Sequence, residues 1–169
     1  GRAGNVLVAR QQWIPEDQPS QFNDRRVRLD CGDRPRKLRA INSQVTIEPV
    51  VTDIDHTNIL DLVADADLIL DGTDNFETRY LINDAAVKLG KPWIFGGVIG
   101  SEGQTMTILP GETPCLRCVI ESSPPPGMTP TCETAGVLGP AVAVIASFEA
   151  VEAIKILAGK RESLNRDLI

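Results

Sequence analysis

Nowhere does the chain carry the roughly 18 to 20 consecutive apolar residues that a membrane span requires; Gly, Pro or charge interrupts every apolar stretch first. The N-terminus also lacks a basic-then-apolar leader pattern. Positive charge is in short supply: 17 Lys and Arg against 23 Asp and Glu leave a net charge of -6 and an isoelectric point near 4.8. That balance excludes the clustered cationic footprint of a nucleic-acid binder. The exception is Arg25 to Arg39, with Arg25, Arg26, Arg28, Arg34, Arg36, Lys37 and Arg39, but Asp24, Asp30 and Asp33 accompany them and the stretch reads as a solvated mixed-charge face. The single histidine, His56, sits in an acidic loop and reads as solvated too. Cysteine is sparse: Cys115 and Cys118 form one tight pair, while Cys31 and Cys132 stand apart, a pattern of metal or thiol chemistry in a reducing compartment rather than a disulfide framework. These absences predict a soluble cytoplasmic protein with neither nucleic acid nor membrane as partner.

What is present suffices for one domain, since 169 residues, 42% of them hydrophobic, can bury a sizeable core. The stretch from Gly1 to Cys31 is irregular, and only Val6 to Val8 suggests a short buried strand there. From Lys37 the pattern sharpens. Val45 to Val51 predicts a strand, Asn58 to Ala64 a short amphipathic helix, and Leu68 to Leu70, ending at Asp71, a buried strand. Helical spacing of Leu81, Ile82, Ala85, Ala86 and Leu89 predicts a helix over 77–89, stopped by Gly90 and followed by a strand from Trp93 to Val98. This alternation predicts an α/β fold with a mainly parallel, Rossmann-like sheet flanked by helices. Gln104 to Leu109 adds a strand, the proline-rich 122–131 a loop, and Pro140 opens a helix that runs past Leu157 to Gly159.

Two places carry chemistry. Asp71-Gly72-Thr73-Asp74-Asn75 follows the carboxyl end of a buried strand, where open α/β sheets bind ligands. Asp74 there suits Mg²⁺ bridging nucleotide phosphates, because this hard cation takes carboxylate, phosphate and water oxygens; equally, it could cap the following helix. Arg79, one turn on, reads first as the structural partner of a nearby carboxylate and second as a phosphate ligand. The second place is Cys115-Leu116-Arg117-Cys118, whose knuckle spacing offers two thiolates to one Zn²⁺. A redox dithiol is the rival, but Pro114 and the proline-rich tail do not resemble a thioredoxin-like helix start. A structural zinc site needs four ligands, and Cys31, Cys132 and His56 are not spaced as a second pair. Cys132, just beyond the prolines, is either an exposed reactive thiol or an ordinary buried one.

Asp71-Gly72-Thr73-Asp74-Asn75-Phe76-Glu77-Thr78-Arg79, Pro114-Cys115-Leu116-Arg117-Cys118 and Thr131-Cys132-Glu133-Thr134-Ala135-Gly136-Val137 occur in order. With them the chain resembles the ThiF/MoeB/HesA family, relatives of ubiquitin-activating enzymes. The likeness runs from about Ala40-Ile41-Asn42 to Gly159, through Gly96-Gly97-Val98, Glu102-Gly103-Gln104 and Glu149 to Lys155. The resemblance implies an ATP-dependent adenylyltransferase that activates the C-terminal glycine carboxylate of a ubiquitin-like sulfur carrier, of the thiamine or molybdopterin type. It implies catalytic roles for Asp74, Arg10 and Cys132, nucleotide contacts from Asp74, Asn75 and Arg10, zinc at Cys115 and Cys118, Mg²⁺ with ATP, and a homodimer. It also implies a β/zinc-knuckle region towards the C-terminal end. The family's Gly-x-Gly-x-x-Gly loop, its ribose-binding Asp and its lysine before Ala-Ile-Asn have no counterpart in these residues. Residues 1–39 therefore read as an irregular remnant of the nucleotide-binding βαβ, residues 40–169 as the well-matched core, and the chain as a partial domain. Two rivals stand beside the enzyme: a degenerate relative that only binds the carrier, and a Rossmann-type oxidoreductase, against which the absent glycine loop speaks.

Overall fold

The computed structural model describes residues 5–10, 26–29, 34–50, 52–122 and 132–169. Six strands form one sheet: β1 (Asn5–Arg10), β2 (Arg26–Leu29), β3 (Thr46–Pro49), β4 (Leu68–Gly72), β5 (Trp93–Ile99) and β6 (Glu102–Ile108), in the order β3-β2-β1-β4-β5-β6. The α/β class and the Rossmann-like layering are those expected, but the sheet is mixed. β2 with β3 and β4 with β5 run parallel, whereas β1 is antiparallel to both β2 and β4, and β6 to β5. For the last pair the reason is local: only Gly100 and Ser101 separate β5 from β6, and Gly100 at φ 61° supplies the left-handed backbone of a tight hairpin. Parallel pairing would need a crossover of a dozen residues or more.

Helices cover both faces. On one side α2 (Ile59–Val63) and α3 (Phe76–Leu89) bury Ile59, Val63, Ile82, Ala85 and Ala86 against Ile69, Trp93, Phe95, Met106 and Ile108. On the other side α6 (Gly139–Leu157) packs Ala153, Ile156 and Leu157 on Leu68, Leu70 and Ile94. Strand alternation explains the sorting, since odd residues of β4 and β5 face α3 and even ones face α6. Gly103 of β6 brings α6 close, because a Cβ there would overlap Ile145.

The remaining elements are α1 (Arg34–Ile41), α4 (Leu116–Val119), α5 (Cys132–Ala135) and a 3-10 turn at Arg161–Ser163. The basic stretch expected to be a mere solvated face thus contributes β2 and α1. Arg residues at alternate positions of β2 hide its strand character, and α1 exposes every side chain described from Arg36 on. The predicted proline loop lies largely outside the described residues, as does Cys31. Among the described residues no helix is long and apolar enough to cross a membrane.

Candidate functional site

The carboxyl end of β4 is locked from beneath. Asp71 is fully buried and accepts two hydrogen bonds from Thr73, from N–H at 2.8 Å and from Oγ1 at 2.7 Å. Its other oxygen meets Arg79 Nε at 3.0 Å. Arg79 Nη2 donates to the Thr73 carbonyl at 2.6 Å and to the Gly96 carbonyl of β5 at 3.1 Å, so one guanidinium ties the β4 turn to the neighbouring strand. The rings of Phe76 and Phe95 lie 5.5 and 5.4 Å from the guanidinium carbon, within cation–π range. Burial pushes the Asp71 carboxyl up, against the opposing pull of Arg79 and the two Thr73 bonds. Arg79 is therefore the structural partner foreseen, with Asp71 as its carboxylate.

Asp74 emerges from this turn into solvent. Among the described residues its hydrogen bond is from Asn75 Nδ2, at 3.3 Å. The capping alternative for Asp74 is overturned: Asn75 is the N-cap of α3, and its Oδ1 accepts from the Thr78 N–H at 2.8 Å. Capping commits that oxygen of Asn75 and frees Asp74. Of the other predicted members, Arg10 stands apart along the backbone. Arg10 ends β1, and the register pairs Asn5 with Gly72 and Ala9 with Leu68, so Arg10 lies at the opposite end of β4 from Asp74. Its side chain lies outside the described residues, as does that of Cys132, whose backbone opens α5.

Cys115 and Cys118 do converge. Cys115 precedes α4, Cys118 N–H donates to its carbonyl at 2.9 Å, and the two Sγ atoms stand 3.6 Å apart. Two thiolates on one tetrahedral Zn²⁺ at about 2.3 Å each would be about 3.8 Å apart, so the pair fits half of such a site. Among the described residues no third Cys, His, Asp or Glu joins them. Burial pushes the Cys115 thiol up, but hydrogen bonding from Cys118, the Arg117 backbone and Asn83 outweighs it and leaves Cys115 below its usual range.

The knuckle hangs on α3 through residues that sequence reasoning missed. Asn83, buried, accepts the Leu116 N–H at 2.9 Å and points Nδ2 at Cys115 Sγ, 3.9 Å away. Arg117 grips Asp84 through two bonds of 2.7 Å and stacks over Tyr80 at 4.5 Å, while Tyr80 Oη donates to the Ile120 carbonyl at 2.9 Å. These partners are more than thirty residues apart in the chain, and no local pattern announces them. Glu149 was likewise visible only as part of a motif; burial, with Asp71 adding to it and Arg79 opposing, pushes its carboxyl up to about 8.

A family model described as the ThiF family matches residues 35–169. The sulfur carrier protein ThiS adenylyltransferase of Bacillus subtilis (strain 168) is 47% identical over 125 residues, covering 74% of this chain and 37% of that protein. The sulfur carrier protein adenylyltransferase of Thermus thermophilus is 43% identical over 129 residues, covering 73% of this chain and 48% of that protein. The chain thus spans less than half the length of these curated relatives. Among solved structures, the crystal structure of E. coli MccB with ATP matches at a TM-score of 0.61 and 20% identity, over 74% of this chain and 39% of that one, a likeness of fold.

Proposed function

The chain belongs to the ThiF family, and from that premise we propose that it adenylates the C-terminal glycine carboxylate of a ubiquitin-like sulfur-carrier protein. In that reaction a carboxylate oxygen of the carrier attacks the α-phosphorus of ATP. The bond from that phosphorus to the bridging oxygen breaks, and pyrophosphate leaves an acyl-adenylate behind. The observation that carries the proposal is Asp74, an exposed carboxylate at the carboxyl end of β4 on a turn fixed by Asp71, Thr73 and Arg79. Such an end is where open α/β sheets bind ligands, and the names of both relatives point to this chemistry.

Asp74 suits Mg²⁺, because it offers hard carboxylate oxygen open to solvent, while Asn75, whose Oδ1 caps α3, steadies that carboxylate by donating from Nδ2. A bound Mg²⁺ would neutralise phosphate charge as the leaving group departs. The protein's own part is placement. Arg79 is consumed by Asp71, Thr73 and Gly96, so it orients the turn rather than reaching a phosphate. Carboxylate attack on ATP depends on alignment and charge neutralisation more than on a strong base.

Cys115 and Cys118 would hold Zn²⁺ as two of four ligands in a structural site, a reading supported by their 3.6 Å separation. Their free state accords with a reducing, cytoplasmic setting. A homodimer is supported by α6, where Val144, Phe148 and Val151 are 53%, 44% and 49% exposed at helical spacing. Cys132 is assigned thiol chemistry after adenylation by its motif.

The test is ATP–pyrophosphate exchange with a carrier ending in Gly-Gly. Exchange should require the carrier and fall on the order of 100-fold in Asp74→Ala, the scale of a misaligned reacting group. Carrier-independent exchange, or an unimpaired Asp74→Ala, would refute the assignment.

A further inference from the structure

The carboxyl group of Glu149 on α6 fills the place where a side chain at position 96 would stand: a Cβ added to Gly96 would overlap Oε1. That oxygen is buried and receives no hydrogen bond from the described residues. On the opposite face of β5, Arg79 Nη2 lies 3.4 Å from where a Cβ of Gly97 would be, and it donates to the Gly96 carbonyl at 3.1 Å. The side-chain-free backbone of Gly96 and Gly97 therefore stands between the Glu149 carboxyl and the guanidinium that clamps the β4 turn. A larger residue at either position would separate the two groups or displace one.

We propose that Glu149 is a positioning residue for the Asp71–Asp74 turn: as a neutral carboxyl group it leaves Arg79 to Asp71 and the Thr73 carbonyl, and on losing its proton it competes for Arg79 and loosens the turn. The functional weight of this rests on the reading that the turn presents Asp74 to the nucleotide. The surrounding charges define the competition. β5 carries no charged residue, and β4 contributes Asp71 and α3 contributes Arg79. On α6 itself Glu152 is paired with Lys155 at 2.6 Å and accepts the Asn165 N–H at 2.9 Å. Glu102 of β6 is exposed, and Arg161 of the 3-10 turn is bound to Glu112. Asp71 and Arg79 are accordingly the charges that act on Glu149, the first holding its proton on and the second drawing it off. Burial is the larger cause and, with Asp71 adding to it, carries the carboxyl to about 8.

The experiment is an NMR titration of the full chain from pH 5 to 10, following side-chain carboxyl ¹³C signals together with the amide of Thr73, whose proton is donated to Asp71. One glutamate carboxyl should titrate near pH 8, vanish from the spectrum of Glu149→Gln, and be matched by a Thr73 amide shift of the same midpoint. That shift should be absent in Glu149→Gln, whose neutral amide mimics the protonated acid. A Glu149 carboxyl already ionised across that whole range, as an ordinary glutamate value of about 4.3 entails, a Thr73 amide that ignores the titration, or a Thr73 shift that persists in Glu149→Gln each overturns the proposal. Should the variant fail to fold, carboxyl and amide are both read in the parent chain and still decide. No nucleotide enters the measurement, so it stands or falls separately from the exchange assay.

Discussion

Three acceptors converge on Arg79, and the most costly of them to abandon is Asp71, whose side chain is fully buried while that of Arg79 is 8% exposed. Arg79→Met leaves this carboxylate without its counter-ion in a low-dielectric interior. Breaking a buried pair from one side costs about 3–5 kcal/mol, which urea unfolding should report as a markedly lower midpoint. Arg79→Lys keeps the charge but not the fork that reaches Asp71, Thr73 and Gly96 together, so it should recover only part of the loss. At this scale the sequence was half legible. Asp74 and Arg79 follow from their place after a buried strand, and the pairing role of Arg79 could be argued from its spacing. That Asn75, and not Asp74, caps α3 could not, because adjacent Asp and Asn are equally good caps and only the backbone angles at Asn75 decide.

Element by element, α3 is the strut of the candidate site. Its first turn closes on Asp71 through Arg79, and its third turn holds the cysteine knuckle through Asn83 and Asp84. Asn83→Ala strands the buried Leu116 N–H and removes a hydrogen bond to Cys115. An unsatisfied buried donor costs about 1–3 kcal/mol, so thermal unfolding should show a clear loss of stability. Asp84→Ala, cutting a half-exposed pair, should cost less. The helix itself was plain from its apolar spacing and from Gly90, which stops it at φ 65° with its N–H on the Ala86 and Val87 carbonyls. β2 and α1 were not, since four strand residues with alternating Arg and an exposed, Arg-rich helix carry little hydrophobic periodicity.

On the scale of the whole molecule, α6 is apolar on more of its surface than the sheet covers. It seals the β4–β6 side through Ile145 and Ala153, yet Val144, Phe148, Val151 and Ile154 remain exposed among the described residues. In the proposed homodimer these residues are covered by a second copy. Phe148→Glu, which leaves the sheet-facing side intact, should turn a dimer into a monomer in sedimentation equilibrium; a parent chain that is monomeric at all concentrations would remove the homodimer from the reading. The sequence by itself determined the α/β class, the succession β3-α2-β4-α3-β5-β6-α6, the ThiF resemblance, the place of Asp74 just after β4 and the nearness of Cys115 to Cys118, because each rests on periodicity, caps or short spacings that few neighbouring residues encode. Only the tertiary structure decided the antiparallel setting of β1, the distance of Arg10 from Asp74, the hold of Asn83 on the knuckle and the approach of Glu149 to Gly96. These depend on which distant segments meet across the sheet, and side chains brought together from thirty or more residues apart leave no local pattern in the chain.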